Sequence, residues 1–290
     1  MENDIQELHA TFEMYGKNAK AWMRKCIMLL PEIAHKRVWQ KKGYENIYEY
    51  ARVFAGMSGH AVDEALRVLK RAEQLPAIQK VIEAKGINAV RPIITVATPE
   101  TDAFWAKKAE EMSQHALDAY VRATKYQYEA EILGAENLKA EITMQLPKDL
   151  AEKLMKLKGH GEWENLLNEL LAYREQVLQE NQPEEKVTDA RHIPAEIKRF
   201  VIERSRGICE FPRCTRTYTI LHHTQRFALE PTHDPARIIA LCTPHERLAH
   251  QGLMENENLE PQYWKVRERA DIEHPTYAID ELVMKYRKPG

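Results

Sequence analysis

Cysteine and glycine are scarce in this chain, at four and 11 of 290 residues. So few cysteines exclude the dense disulfide framework of small secreted domains, and the thiols are expected to stay reduced, as in a cytoplasmic protein. Long apolar runs are missing too. None approaches the roughly 20 residues that cross a bilayer, so no membrane span is expected. The opening MENDIQELHATFEMYG is acidic and amphipathic, which is not the pattern of a signal peptide. Nor does one sign of charge dominate: a formal net charge of −2 excludes a uniformly basic binder of nucleic acid. There is no low-complexity segment and no internal repeat. With 44% hydrophobic and 30% charged residues, the chain is long enough for two domains with cores of their own.

Charge is distributed unevenly within that near-neutral total. Ala190 to Met254 holds 10 Lys/Arg against 6 Asp/Glu, a local +4, whereas Glu255 to the end holds 8 acids against 6 bases. A local basic patch suffices to engage phosphates.

Residues 1–135 read as a helical domain, with apolar residues recurring at three- and four-residue spacing. Ile47, Tyr50, Ala51 and Phe54 mark one helix face, Gly56 breaks it, and Ser58 is placed to cap a second helix carrying Arg67, Lys70 and Arg71. That order resembles a helix-turn-helix, the alternative being a plain helical hairpin with solvated bases. Thr98 before Pro99 reads as the start of a further helix, and Ser113 as the cap of the next. Cys26 lies on a helix among apolar neighbours and reads as a structural thiol.

Residues 136–180 read as strand, helix, helix. Ile142, Met144 and Leu146 alternate with Thr143 and Gln145, the period of a strand, and two leucine-faced helices follow. The order resembles a ribbon-helix-helix unit, which would make a homodimer by pairing its strands; a helical hairpin with an extended lead-in is the alternative. Residues 181–192 read as a polar linker, 193–254 as a small α+β domain and 255–290 as a C-terminal extension.

Chemistry concentrates after the linker. Cys209 and Cys214 bracket a Pro-containing turn, and Cys242 with His245 adds a C-x-x-H half-site 28 positions later. Three thiolates and one imidazole form the closed tetrahedral set of structural zinc, against unliganded core thiols or a disulfide. TYTILHH reads as a strand ending in His222 and His223, which as neighbours must face opposite sides. TPHERLAHQG reads as a helix with Thr243 as its cap, and Glu246 and His250, four apart, share one face. His222, Glu246 and His250 would then form an open three-ligand site for a divalent ion, with His223 free as a general base.

Cys-x-Phe-Pro-x-Cys, a strand ending in His-His, then Leu-Cys-x-x-His-x₄-His resembles the HNH endonucleases of the zinc-containing ββα-metal type, over about residues 191–254. The helical region is similar, more loosely, to an all-helical domain of unknown function that often precedes such a cassette; GYENIYEYARVFAGMSGHAV, LPAIQKVIEAKG and VATPETDAFW carry that likeness. The resemblance implies zinc on Cys209, Cys214, Cys242 and His245, and His223 as the base that activates water against a DNA phosphodiester. It implies a catalytic Mg²⁺, Mn²⁺ or another divalent ion held by His222 and His250, with Glu246 standing where many members have a second His. Arg206, Arg216, Arg226 and Arg237 are the expected nucleic-acid contacts. Arg237 also stands where the motif's middle Asn is usual, with His233, Asp234 or Gln225 as substitutes. That departure favours the alternative of a zinc-stabilised DNA-binding or regulatory protein with a degenerate centre.

Overall fold

A computed structural model describes residues 2–134 and 142–286. The chain is mainly helical, with three small antiparallel strand pairs among the described residues. It divides into two compact units, Met1–Val121 and Arg122–Gly290. No helix among the described residues is long and apolar enough to cross a membrane.

The first unit is built from α1 (Glu2–His35), α2 (Val38–Lys41), α3 (Ile47–Ala55), α4 (Gly59–Ala72), α5 (Pro76–Lys85), α6 (Asp102–Glu111) and the first half of α7 (Gln114–Leu133). The break between α3 and α4 follows from its residues. Gly56 takes φ +64, where a side chain would be strained, and the Ser58 hydroxyl accepts the amide of Ala61 at 3.2 Å. Val62, Ala65, Val68 and Leu69 of α4 pack inward with Ile78, Val81 and Ile82 of α5. Arg67 is paired with Glu64 on its own helix, while Lys70 and Arg71 are exposed. Ser113 accepts the Ala116 amide at 3.4 Å, as its place before α7 suggested. Thr98, by contrast, does not start a helix. It closes a turn with Thr101, and α6 begins at Asp102. The Asp102 carboxylate is 5% exposed and accepts the Ala77 and Ile78 amides at 2.7 and 2.9 Å, so α6 caps α5 from a distance.

In the second unit α8 (Lys148–Lys158) and α9 (Trp163–Glu180) form the expected pair of helices. The strand expected at Ile142–Leu146 does not form. Residues 142–147 carry no regular structure, and Ile142 and Met144 are exposed. Backbone groups of a strand need a partner, and among the described residues none pairs with this segment. The start of the expected strand-helix-helix segment, 136–141, lies outside the described residues. Within the expected linker, β1 (Lys186–Val187) pairs with β3 (Thr232–His233).

Next comes α10 (Ala195–Ser205), ending at Arg206 and Gly207, both with positive φ. Its Ile197, Phe200 and Val201 pack on Ile238 and Ala240 of β4 (Ile238–Leu241), which is antiparallel to β2 (Ile220–His223). Arg204 is half-buried and fastens this core: it donates to Glu210 and to the carbonyls of Pro235 and Ile238. α11 (Thr243–His250) follows β4 directly. The segment after it is also folded, with β5 (Met254–Glu255) paired to β6 (Lys265–Val266) and α12 (Tyr277–Tyr286) packed against α11.

Candidate metal centres

The first cluster forms where a turn, a bridge and a helix start converge. Ile208 and Thr217 pair as an isolated antiparallel bridge, and the Cys214 amide closes the turn onto the Phe211 carbonyl. Cys242 sits at the N-cap position of α11, with Pro244 in the first turn, so His245 comes round onto the same end of the helix. His245 Nδ1 lies 3.3 Å from both Cys209 Sγ and Cys242 Sγ, and Cys214 Sγ lies 3.9 Å from Cys242 Sγ. The Phe211 ring stacks on the imidazole at 4.0 Å. All three thiols are free. Hydrogen bonds from Cys209 and Cys242 pull the Cys214 pKa down, while the Cys214 and Cys242 contacts and burial push that of Cys209 up. These four residues could hold a metal ion.

The second cluster lies between β2 and α11. On β2, His222 is buried and His223 half-buried, as alternation along a strand requires. Glu246 and His250 share one face of α11, with His250 Nε2 3.1 Å from Glu246 Oε1. Ligand-capable atoms of His222, Glu246 and His250 all lie within 4.8 Å of one another, so this group too could hold a metal ion.

Two acids of the C-terminal segment complete the cluster. Asp280 of α12 is fully buried and accepts from His250 Nδ1 at 2.5 Å. Glu257, after β5, accepts from His222 Nε2 at 2.6 Å. Burial lowers the His222 pKa and outweighs the opposing pull of Glu257, which keeps the ring neutral. Burial acts the same way on His250, but there the hydrogen bonds to Asp280 and Glu246 win and raise its pKa. Glu257 is held at about 2: burial opposes ionisation, and His222 and Arg226 overcome it.

Arg226 takes a different place from the one expected of a phosphate contact. It is 3% exposed, and its guanidinium donates to both oxygens of Asp280 and both of Glu257 at 2.6 to 3.0 Å. Nη1 also reaches the Thr224 carbonyl at 2.9 Å and lies 2.9 Å from His222 Nε2. The burial is possible because two carboxylates from 31 and 54 residues downstream neutralise the charge. No motif marks either acid.

His223 faces away from this group. Its Nε2 is 3.0 Å from His233 Nδ1, and His233 Nε2 is 3.0 Å from the Ala190 carbonyl oxygen. A carbonyl can only accept, so a neutral His233 carries its proton on Nε2 and presents a lone pair at Nδ1. His223 therefore donates from Nε2, which leaves the lone pair of its Nδ1 without a partner among the described residues. Burial and the nearby His233 and His222 lower the His223 pKa to about 4. Of His233, Asp234 and Gln225, it is His233 that makes this contact. Gln225 instead reaches Thr232, and Asp234 caps the Ala236 amide.

Arg206 and Arg237 stay outside both clusters, whereas the Arg216 backbone borders the first, its carbonyl accepting the Cys209 amide at 2.9 Å. Arg206 is exposed at the end of α10, Arg216 is half-buried, and Arg237 is half-exposed and paired with Glu230. Arg237 also lines a cleft of about 570 Å³ with Thr224, Gln225, Glu257 and Arg267, so the cleft reaches the second cluster at Glu257. Comparison with family models, curated proteins and solved structures finds no match to this chain.

Proposed function

We propose that the chain is a metal-dependent HNH-type endonuclease that hydrolyses phosphodiester bonds in DNA. The observation that carries the proposal is the division of labour on β2. His222 turns into a set of imidazole and carboxylate donors, and His223 next to it keeps an Nδ1 lone pair with no partner among the described residues.

The first cluster fits structural zinc. With Zn–S bonds near 2.3 Å, a tetrahedron has S···S edges of about 3.8 Å, close to the 3.9 Å between Cys214 and Cys242. The second fits a divalent ion such as Mg²⁺ or Mn²⁺ by charge. Glu246, Glu257 and Asp280 carry three negative charges against one on Arg226, a formal sum of −2 once a binding ion displaces the proton that Asp280 and Glu246 favour on His250. A bound divalent ion would balance that sum and polarise the scissile phosphate.

In this proposal His222, Glu246 and His250 hold the ion, and Asp280 fixes the His250 ring by accepting its Nδ1 proton. His223 takes the proton of the attacking water at Nδ1. A pKa near 4 leaves it unprotonated at neutral pH. His233 holds the ring in the tautomer that exposes that nitrogen. Arg206, Arg216 and Arg237 are the basic groups proposed to meet the DNA backbone. Plasmid nicking with Mg²⁺, Mn²⁺, Ni²⁺ and Zn²⁺, run beside His223→Ala, tests the proposal. Cleavage that His223→Ala removes supports it; no cleavage with any of these ions refutes it.

A second reading has its own support in Arg226. A guanidinium beside His222 Nε2 can serve as a permanent cation in place of a metal. The chain would then be a zinc-stabilised DNA-binding or regulatory protein with a degenerate nuclease centre. It would carry one zinc per chain and bind DNA without cutting it.

A further inference from the structure

Residues 4–29 of α1 hold no buried position; Leu30 is the first. Yet this stretch is strongly amphipathic. Ile5, Leu8, Phe12, Tyr15, Trp22 and Leu29 are between 52% and 78% exposed. With Ala19 and Cys26 they recur at alternating spacings of three and four over residues 5–29. An unbroken alternation of this kind is the a/d seam of a left-handed coiled coil, not the broader stripe of a helix lying on a globular core. A helix of this length with its apolar seam in water gains little from propensity and needs a partner.

We infer that the seam pairs with the same seam of a second copy, running antiparallel. Charge selects both the partner and the direction. Residues 2–14 carry four acids and no base, and residues 15–25 carry four bases and no acid. A second α1 laid antiparallel sets each acidic half against a basic half. A parallel copy sets like against like, which an association of helices disfavours.

The side chains agree with that direction. Antiparallel layers centred on Lys17 place Ile5 opposite Leu29, Leu8 opposite Cys26, Phe12 opposite Trp22 and Tyr15 opposite Ala19. Large residues then meet small ones in two of the four layers, whereas a parallel pair stacks Tyr15 on Tyr15 and Trp22 on Trp22. Six large side chains, each covering on the order of 100 Å², bury roughly 600 Å² per copy and about 1,200 Å² in all, at the threshold of a specific interface.

Light scattering on the full-length chain tests the pairing. A mass of twice the chain at micromolar concentration is expected, and Phe12→Glu or Trp22→Glu should reduce it to a monomer without lowering helix content, since both side chains face water in the single copy. A monomeric wild type, or variants that stay dimeric, would overturn the inference. The direction is read by oxidative cross-linking. Leu8→Cys should form a disulfide with Cys26 of the second copy and lose it when Cys26→Ser is added. A Cys26–Cys26 cross-link in the wild type would mean a parallel pair and overturn the assignment.

Discussion

Asp280 Oδ1 and His250 Nδ1 lie 2.5 Å apart although 30 residues separate them, so α12 holds the last side chain of α11 in place. A carboxylate behind a metal-binding imidazole sets its tautomer, and removing one costs about 10–100-fold in metal affinity. Asp280→Asn should weaken Mn²⁺ binding by that factor in titration calorimetry while leaving zinc content at one per chain. Equal Mn²⁺ affinity in the variant would make the contact purely structural.

Arg226 leads to a stability prediction. Its charge is buried between Asp280 and Glu257, and breaking one side of a buried pair costs about 3–5 kcal/mol because the partners are left uncompensated. Arg226→Met should lower the stability of the second unit by that amount in urea unfolding. The same variant separates the two functional readings. If the guanidinium stands in for a metal, Arg226→Met gains a divalent ion without gaining cleavage. If the centre is a nuclease, the variant loses order around His222 and cuts more slowly than the wild type.

The cysteine cluster predicts a response to metal removal. Apparent binding free energies of structural zinc reach about 10–16 kcal/mol in peptide hosts, and that energy is folding energy. A strong chelator, or Cys214→Ser, should therefore unfold the second unit. The first unit has its own core around Val62, Val68, Ile78 and Leu117, and its helical signal should persist. Circular dichroism that falls only in part on chelation is the expected outcome; complete loss would mean that a metal on this cluster also supports the helical unit.

The sequence exposes some of this and hides the rest for physical reasons. Cys242 with His245, and Glu246 with His250, are neighbours on one short helix, so local spacing alone brings them together. His222 joins them because β2 pairs antiparallel with β4, and β4 leads straight into α11. Glu257 and Asp280 are invisible to that logic. Each is one acid among eight in the last 36 residues, and only tertiary packing singles out Asp280, which is buried, and Glu257, whose side chain is 14% exposed. Arg226 misleads for the same reason: a base after a strand reads as surface until distant acids cover it. Ile142–Leu146 has the alternation of a strand, but alternation supplies no partner, and among the described residues none pairs with it.

His233 carries the last prediction. It stands fully buried between the Ala190 carbonyl and His223, where its one lone pair forces His223 to keep a proton on Nε2. His233→Phe would keep the ring packed against Phe227, 4.9 Å away, but remove the acceptor. His223 could then present either nitrogen, and the fraction with Nδ1 open would fall. Cleavage should slow through kcat, with DNA affinity unchanged, by less than the roughly 10²–10⁴-fold expected for His223→Ala. The ring nitrogens of His223 in nitrogen-detected NMR give a second readout: the wild type should hold the Nε2–H form, and His233→Phe should mix the two tautomers. A wild type already mixed would remove His233 from any positioning role.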